Sequence, residues 1–300
     1  MLTDQTIETV VRAALLEDAP WGDLTSQLLI PETAYATARL NAREPGTFSG
    51  GAVFTAAMRL TDASIIIDLA VSDGDRFEAG DTLATVSGPA RSVLQAERVA
   101  LNLVQRMSGI ATLTASFAGE VAHTSARIVD TRKTTPGLRA FERHAVRSGG
   151  GHNHRFSLSD AVMAKDNHLA VLTAQSGLSV TDALLAVRAQ LSHTTHLEVE
   201  VDRIDQIGPV LAAGVDTIML DNFSIEQLRE GVAIIGGRAI VEASGNVNLS
   251  TVRDIAETGV DVISVGALTH SVRSLDLGLD VIVEAGTGLA AEAEAEVASP

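Results

Sequence analysis

The 300-residue sequence has no cysteine and only 7 prolines. Without cysteine, a disulfide framework, a thiolate-ligated metal centre and a cysteine nucleophile are all ruled out. No stretch reaches the roughly 18 consecutive apolar residues that a membrane-spanning helix requires. The first residues, MLTDQTIETVVRAALLEDAPWGD, lack a basic segment followed by an apolar one, so the expected compartment is the cytoplasm. Basic charge is also scarce, since 22 Lys and Arg against 38 Asp and Glu give a formal net charge of −16. That balance argues against a broad surface for nucleic acid or anionic membranes. The motifs GxGxxG, GxxxxGK[ST] and GxSxG are missing too, which disfavours a dinucleotide-binding dehydrogenase, a P-loop enzyme and a serine hydrolase.

What is present is a globular composition, 46% hydrophobic and 20% charged, with room for one large α/β domain and a smaller one. The acidic average hides a reversal. Residues 127–155 hold seven Arg and Lys against two acids, together with three of the eight histidines, as a pocket for a compact polyanion would. Lysine occurs only at Lys133 and Lys165. In a chain that otherwise uses arginine, these two mark places where a small, mobile ammonium is chemically needed.

Along the chain, a first helix is predicted over residues 4–16, followed by β-rich segments with tight Gly and Asp turns. The piece VSDGDRFEAGDTLATVSG has the look of a biotin or lipoyl carrier hairpin but has no lysine at its tip, which makes it structural. Apolar residues at three- and four-residue spacing predict a long helix from Ser92 to about Glu120, kinked or divided at Gly109, with Arg98 and Arg106 on neighbouring faces. Beyond residue 120, strands are predicted at 126–130, 161–165, 196–201, 217–220, 239–244 and 262–266, alternating with helices that end at glycine. This alternation demands parallel strands covered on both faces. Polar residues fall at the C-terminal ends of many strands, a pattern of barrel mouths, where an open sheet would gather them at one switch point. The fold class expected is therefore α/β, an N-terminal open-faced α/β sandwich (1–115) followed by an incomplete α/β barrel of six or seven strands (116–275). A C-terminal segment (276–300) partly returns to the first domain and ends in a disordered acidic tail.

The candidate chemistry lies at those strand ends. The basic set is Arg132, Lys133, His154, Arg155 and Lys165, where guanidinium groups suit carboxylates and the triple glycine at 149–151 lets a ligand approach backbone. The acidic set is Glu198, Glu200 and Asp221. Glu198 and Glu200 alternate with valines, share one strand face, and would be costly inside a barrel without a metal, base or ligand. Their roles are interchangeable on this reading, and Asp221 competes with Ser224 as cap of the next helix. Ser244, Gly245 and Asn246, with Gly266, Ala267 and His270, form two successive late loops suited to phosphate.

In order, EDAPWGDLTS, ERVALNLVQRMSGIAT, DTRKTTPGLRAFERHAVRSGGGHNHRFSLSDAVMAKDNH, LEVEVD, IMLDNFS, EASGN and ISVGALTHSV resemble the quinolinate phosphoribosyltransferase family, also called nicotinate-nucleotide pyrophosphorylase (carboxylating). The resemblance covers residues 17 to about 280. It implies a magnesium-dependent conversion of quinolinate and phosphoribosyl pyrophosphate to nicotinate mononucleotide, pyrophosphate and carbon dioxide, in the de novo NAD pathway. Carried across, quinolinate meets Arg132, His154, Arg155 and Lys165, with Arg98 supplied by the other subunit of a homodimer. Lys133 lies near phosphoribosyl pyrophosphate, Glu200 and Asp221 near its ribose and the Mg2+, and Ser244, Gly245, Asn246, Gly266 and His270 at the phosphate end. Many members have glycine where this chain has Asn246, which leaves the shape of that loop open. The alternatives are a scaffold-sharing relative that acts on another ring acid such as nicotinate, a homologue associated with molybdate transport, and an aldolase or isomerase with Lys165 as Schiff-base amine.

Overall fold

The computed structural model describes residues 2–282. Its first half contains α1 (Asp4–Asp18), α2 (Leu24–Leu29), β1 (Tyr35–Ala42), β2 (Gly46–Thr47), α3 (Gly51–Thr61), β3 (Ile66–Leu69), β4 (Arg76–Phe77), β5 (Thr82–Pro89) and α4 (Ala90–Val121). The second half contains β6 (Arg127–Val129), α5 (Arg139–Ser148), β7 (Val162–Ala164), α6 (Asp166–Ser176), α7 (Val180–Arg188), β8 (Leu197–Val201) and α8 (Ile207–Ala212). It continues with β9 (Thr217–Asp221), α9 (Ile225–Ile235), β10 (Ile240–Ser244), α10 (Val252–Ala256), β11 (Val262–Ser264), α11 (Ala267–His270) and β12 (Leu277–Ile282).

Period-two burial builds the N-terminal layer. In β1, Ala36, Ala38, Leu40 and Ala42 are buried while Tyr35 and Arg39 face out, as expected of a sheet covered on one side. The strand order is β12-β1-β5-β3, and each pairing is antiparallel. Phe48, Phe54, Met58, Leu83 and Met107 are fully or almost fully buried in the layer between this sheet and the helices α3 and α4. This is the open-faced sandwich. β12 comes from the far end of the chain, so the C-terminal part of the described residues completes the first sheet.

The six strands predicted after residue 120 form one parallel sheet in the order β6-β11-β10-β9-β8-β7. Their near-continuous burial fits strands covered on both faces, with Val199, Ile218, Leu220 and Ile263 at zero exposure. Local signals set the crossings: Ser224 caps α9 in a reciprocal box with Gln227, and Gly236 ends it in the left-handed conformation. β6 and β7 are not paired to each other, which makes the barrel incomplete. The segment after α5 runs along the free side of β6 instead, through His152 N–H to the Ile128 carbonyl (2.8 Å) and Asp130 N–H to the His152 carbonyl (3.2 Å).

Two expectations change. The helix α1 runs to Asp18, and the stretch after its turn forms α2, capped by Asp23, whose carboxylate accepts the Thr25 N–H at 3.0 Å. Gly109 does not divide α4, which is one helix of 32 residues. Its glycine serves packing, because a methyl group there would come within 2.2 Å of the Arg273 carbonyl oxygen, where the chain crosses α4 on its way to β12. Residue 115 falls inside α4, which packs on α1, α3 and β5 at one end and on α5, α10 and β6 toward the other. The acidic tail lies outside the described residues.

Candidate active site

The C-terminal ends of the parallel strands surround a cavity of about 410 Å³. Arg132, Lys133, His154, Arg155 and Lys165 line it, facing Glu200, Asp221, Glu242 and Ser244. A second cavity of about 370 Å³ shares Lys133, Asp221 and Ser244 with the first and continues over Gly245, Asn246, Gly266 and His270. The structure thus gathers every residue of the expected basic set and both late loops. Arg98 is the exception. It is exposed on α4 and lines neither cavity.

Each side chain is held by a local device. Asp130, which follows β6 and is fully buried, accepts the His154 N–H at 2.7 Å and the Asn153 side-chain N–H at 2.7 Å, and Arg143 lies 3.5 Å away. This anchors the glycine-rich segment to the strand that delivers Arg132 and Lys133. Lys165 precedes α6 and pairs with Glu200, so its anionic partner is that strand carboxylate. Ser224 caps α9, which leaves Asp221 at the end of β9 to face the cavity.

The loop from Ser244 to Asn246 depends on unusual backbone. Gly245 has φ +96°, and a methyl group on it would lie 2.2 Å from the Asn222 side-chain oxygen. Asn222 and Asn246 both take the left-handed conformation, at φ 58° and 53°, which asparagine tolerates better than most residues. Asn246 therefore supplies the conformation a glycine would supply at that position, and its amide donates to Asn222 at 3.2 Å.

Beneath the cavity lies a cluster that the sequence reading only half found. His154 Nε2 stands 3.1 Å from Glu198 and 3.6 Å from Glu242, and both carboxylates are 3% exposed. Burial works to lower the pKa of His154, and the two carboxylates outweigh it, raising it to about 10. The Arg155 N–H at 2.8 Å from Nδ1 opposes that rise, but it is a dipole set against charged groups. For Glu242, burial pushes the carboxyl upward. Ligand atoms of these three residues all lie within 4.8 Å of one another, an arrangement able to coordinate a metal ion. The roles of the two glutamates on β8 also separate: Glu198 is the deep one on His154, and Glu200 is the one at the mouth on Lys165. Glu242 belongs with the site although only its place at a strand end hinted at it. The readable signal was an acid between Val241 and Ala243 in a strand buried on both faces.

This architecture and this mouth define an enzyme of anionic substrates built on an incomplete α/β barrel. The chain belongs to the quinolinate phosphoribosyltransferase family: the family's N-terminal domain matches residues 23–108 and its C-terminal domain residues 110–280. It is 44% identical over 280 residues to the nicotinate-nucleotide pyrophosphorylase (carboxylating) of Mycobacterium leprae, covering 90% of this chain and 95% of that one. With the probable enzyme of that name from Bacillus subtilis it shares 41% over 266 residues, 89% and 90% of the two chains. The solved structure of NadC from Streptococcus pyogenes superimposes with a TM-score of 0.88 at 40% identity, covering 94% of this chain and 99% of that one. The nicotinate-nucleotide pyrophosphorylase of Francisella tularensis gives 0.87 at 35%, covering 94% and 98%.

The buried cluster has a testable energetic consequence. Replacing His154 with leucine strands two carboxylates, so His154→Leu should lower unfolding stability by about 3 kcal/mol, and a further Glu198→Gln change should recover part of it. Urea titration measures both; a loss below about 1 kcal/mol would show that His154 does not compensate this pair. Because the pKa of His154 rises from 6.5 to about 10 on folding, its protonation stabilises the fold fully below pH 6.5. That contribution fades as the pH rises toward 10, with the ring titration followed by NMR.

Proposed function

We propose that this chain transfers the phosphoribosyl group of phosphoribosyl pyrophosphate to quinolinate and releases carbon dioxide, giving nicotinate mononucleotide and pyrophosphate. One observation carries the choice of substrate. Among the described residues, the buried side-chain polar atoms without any hydrogen-bond partner are Arg132 Nε, Arg155 Nε and Glu242 Oε1, and all three residues line the first cavity. Buried N–H groups are normally paired, and two orphaned guanidinium donors in one pocket call for a ligand with acceptors at both. A pyridine with two adjacent carboxylates supplies them. A ring with one carboxylate leaves more of the charge of Arg132, His154, Arg155 and Lys165 unmatched than a dianion does, which argues against nicotinate or another monoacid as the substrate. The pairing of Lys165 with Glu200 likewise argues against a Schiff-base enzyme.

In this reading Arg132, His154, Arg155 and Lys165 make up the quinolinate side, whereas Lys133, Ser244, Gly245, Asn246, Gly266 and His270 take the polyphosphate. The pyridine nitrogen attacks the anomeric carbon, the bond to pyrophosphate breaks with its electron pair, and Glu200 and Asp221 stabilise the cationic sugar between. Loss of the 2-carboxylate then leaves an electron pair on the ring carbon beside the positively charged nitrogen. Lys165 and Arg132 stabilise that carbanion until it takes up a proton. Glu200 and Asp221 offer the hard oxygen donors that magnesium prefers, beside the place for the pyrophosphate, and they are the residues that would hold it. The ion supplies charge neutralisation of the leaving group. His154, with Glu198 and Glu242, is a mixed nitrogen and oxygen set already charge-paired, and it fits magnesium less well. The polyanionic co-substrate does not cross membranes unaided, which supports a reaction in the cytoplasm; among the described residues no single helix is long and apolar enough to cross a membrane.

The exposed position of Arg98 supports a homodimer in which each subunit lends this residue to the other's site. Trp21, Leu24 and Leu28, 92%, 67% and 75% exposed, offer apolar surface of the kind that subunit contacts cover.

Two outcomes are expected. Purified protein with magnesium and phosphoribosyl pyrophosphate should release carbon dioxide from quinolinate and turn over nicotinate far more slowly; equal use of both acids would defeat the assignment. Mixing Arg98→Ala with Lys165→Ala protein under subunit exchange should restore activity to about one quarter of wild type, since half the dimers are mixed and each has one intact site. Confirmed heterodimers with no recovery would exclude the shared site.

A further inference from the structure

The loop carrying Arg132 and Lys133 is braced from behind by residues outside the two cavities. Arg106 on α4 places Nε 2.9 Å from Glu142 Oε1, and its Nη2 lies 2.8 Å from the Thr135 hydroxyl and 3.0 Å from the Thr269 carbonyl oxygen. Glu142 on α5 is 1% exposed, and its other oxygen accepts the Thr135 N–H at 3.2 Å. The Thr269 hydroxyl closes the circuit by donating to the Lys133 carbonyl at 2.8 Å. One planar guanidinium thus joins α4, the end of the Lys133 loop, α5 and the α11 turn. Across that junction the fit is tight, because a methyl group on Gly266 would lie 3.2 Å from Lys133 Cδ and 3.1 Å from His270 Nε2.

The other side of the mouth is held separately. His154 and Arg155 depend on Asp130, Glu198 and Glu242, and Lys165 depends on Glu200. A disturbance at Arg106 therefore reaches the seam between Lys133 and His270 before it reaches the carboxylate-binding cations.

We propose that Arg106 is a positioning residue for the phosphoribosyl pyrophosphate half of the site, acting with Glu142 and Thr269 to set the separation between the Lys133 loop and the Gly266–His270 turn. This rests on the substrate reading given above. Lysine at 106 keeps the charge on Glu142 but lacks the fork that reaches three segments. Small displacements of binding groups cost up to about a hundredfold in rate, so a measurable effect follows from a loosened brace.

The test uses Arg106→Lys and Thr269→Val, each assayed with both substrates varied and by calorimetric titration with inorganic pyrophosphate. In both variants KM for phosphoribosyl pyrophosphate and Kd for pyrophosphate should rise about tenfold, while KM for quinolinate stays within about threefold of wild type. Should Arg106→Lys fail to fold, Thr269→Val, which keeps the side-chain volume, carries the test alone. Unchanged pyrophosphate affinity in the folded variants, or equal rises in both KM values, overturns the proposal. A wild-type protein that binds pyrophosphate in this Arg106-dependent way but does not turn over quinolinate would sink the substrate reading and leave the brace standing.

Discussion

The site depends on one electrostatic constraint, the placing of His154 against two buried carboxylates. Glu198 comes from β8, Glu242 from β10 and His154 from the segment beyond the triple glycine, so their attraction ties that segment to two strands of the sheet with which it does not pair. Asp130 repeats the device at the neighbouring edge by receiving the His154 and Asn153 N–H groups. Buried charge is costly by itself, and here the cost is offset by geometry that also fixes the pocket floor. Were the cluster replaced by apolar residues, the parallel sheet would still form, but the segment that carries His154 and Arg155 would lose the contacts that fix it over the sheet.

This explains how a protein of net charge −16 presents a cationic mouth. The acids near the mouth are either engaged, as Glu198, Glu200 and Asp130 are, or, like Asp221, line the cavity. The guanidinium groups of Arg132 and Arg155 each keep a buried donor without an internal partner. Such unsatisfied donors are expensive in a folded protein and are retained where a ligand completes them. The adjoining cavity shares Lys133 and Asp221 with the first, which allows one substrate to lie across both while the other stays over the deep cluster.

Much of this was legible in the residues. The six parallel strands stood out because both-face burial leaves short apolar runs between helical spacings, and glycine marked the helix ends. The two lysines were informative because the rest of the chain uses arginine. What could not be read was long-range. Gly109 looked like a helix breaker since nothing local says that Arg273 passes over it, and Glu142 looked like one more acid in a basic stretch until folding buried it against Arg106. Whether Glu198 or Glu200 lay deeper was equally closed to inspection, because alternation gives the face of a strand and not the depth along it.

The central claim is that the two orphaned arginine donors are completed by a ring dicarboxylate. A crystal structure with quinolinate bound tests it most directly. The account expects the ligand over the His154 cluster, with carboxylate oxygens within hydrogen-bonding distance of Arg132 Nε and Arg155 Nε. Quinolinate bound elsewhere, or bound there with both nitrogens still unpartnered, would contradict it.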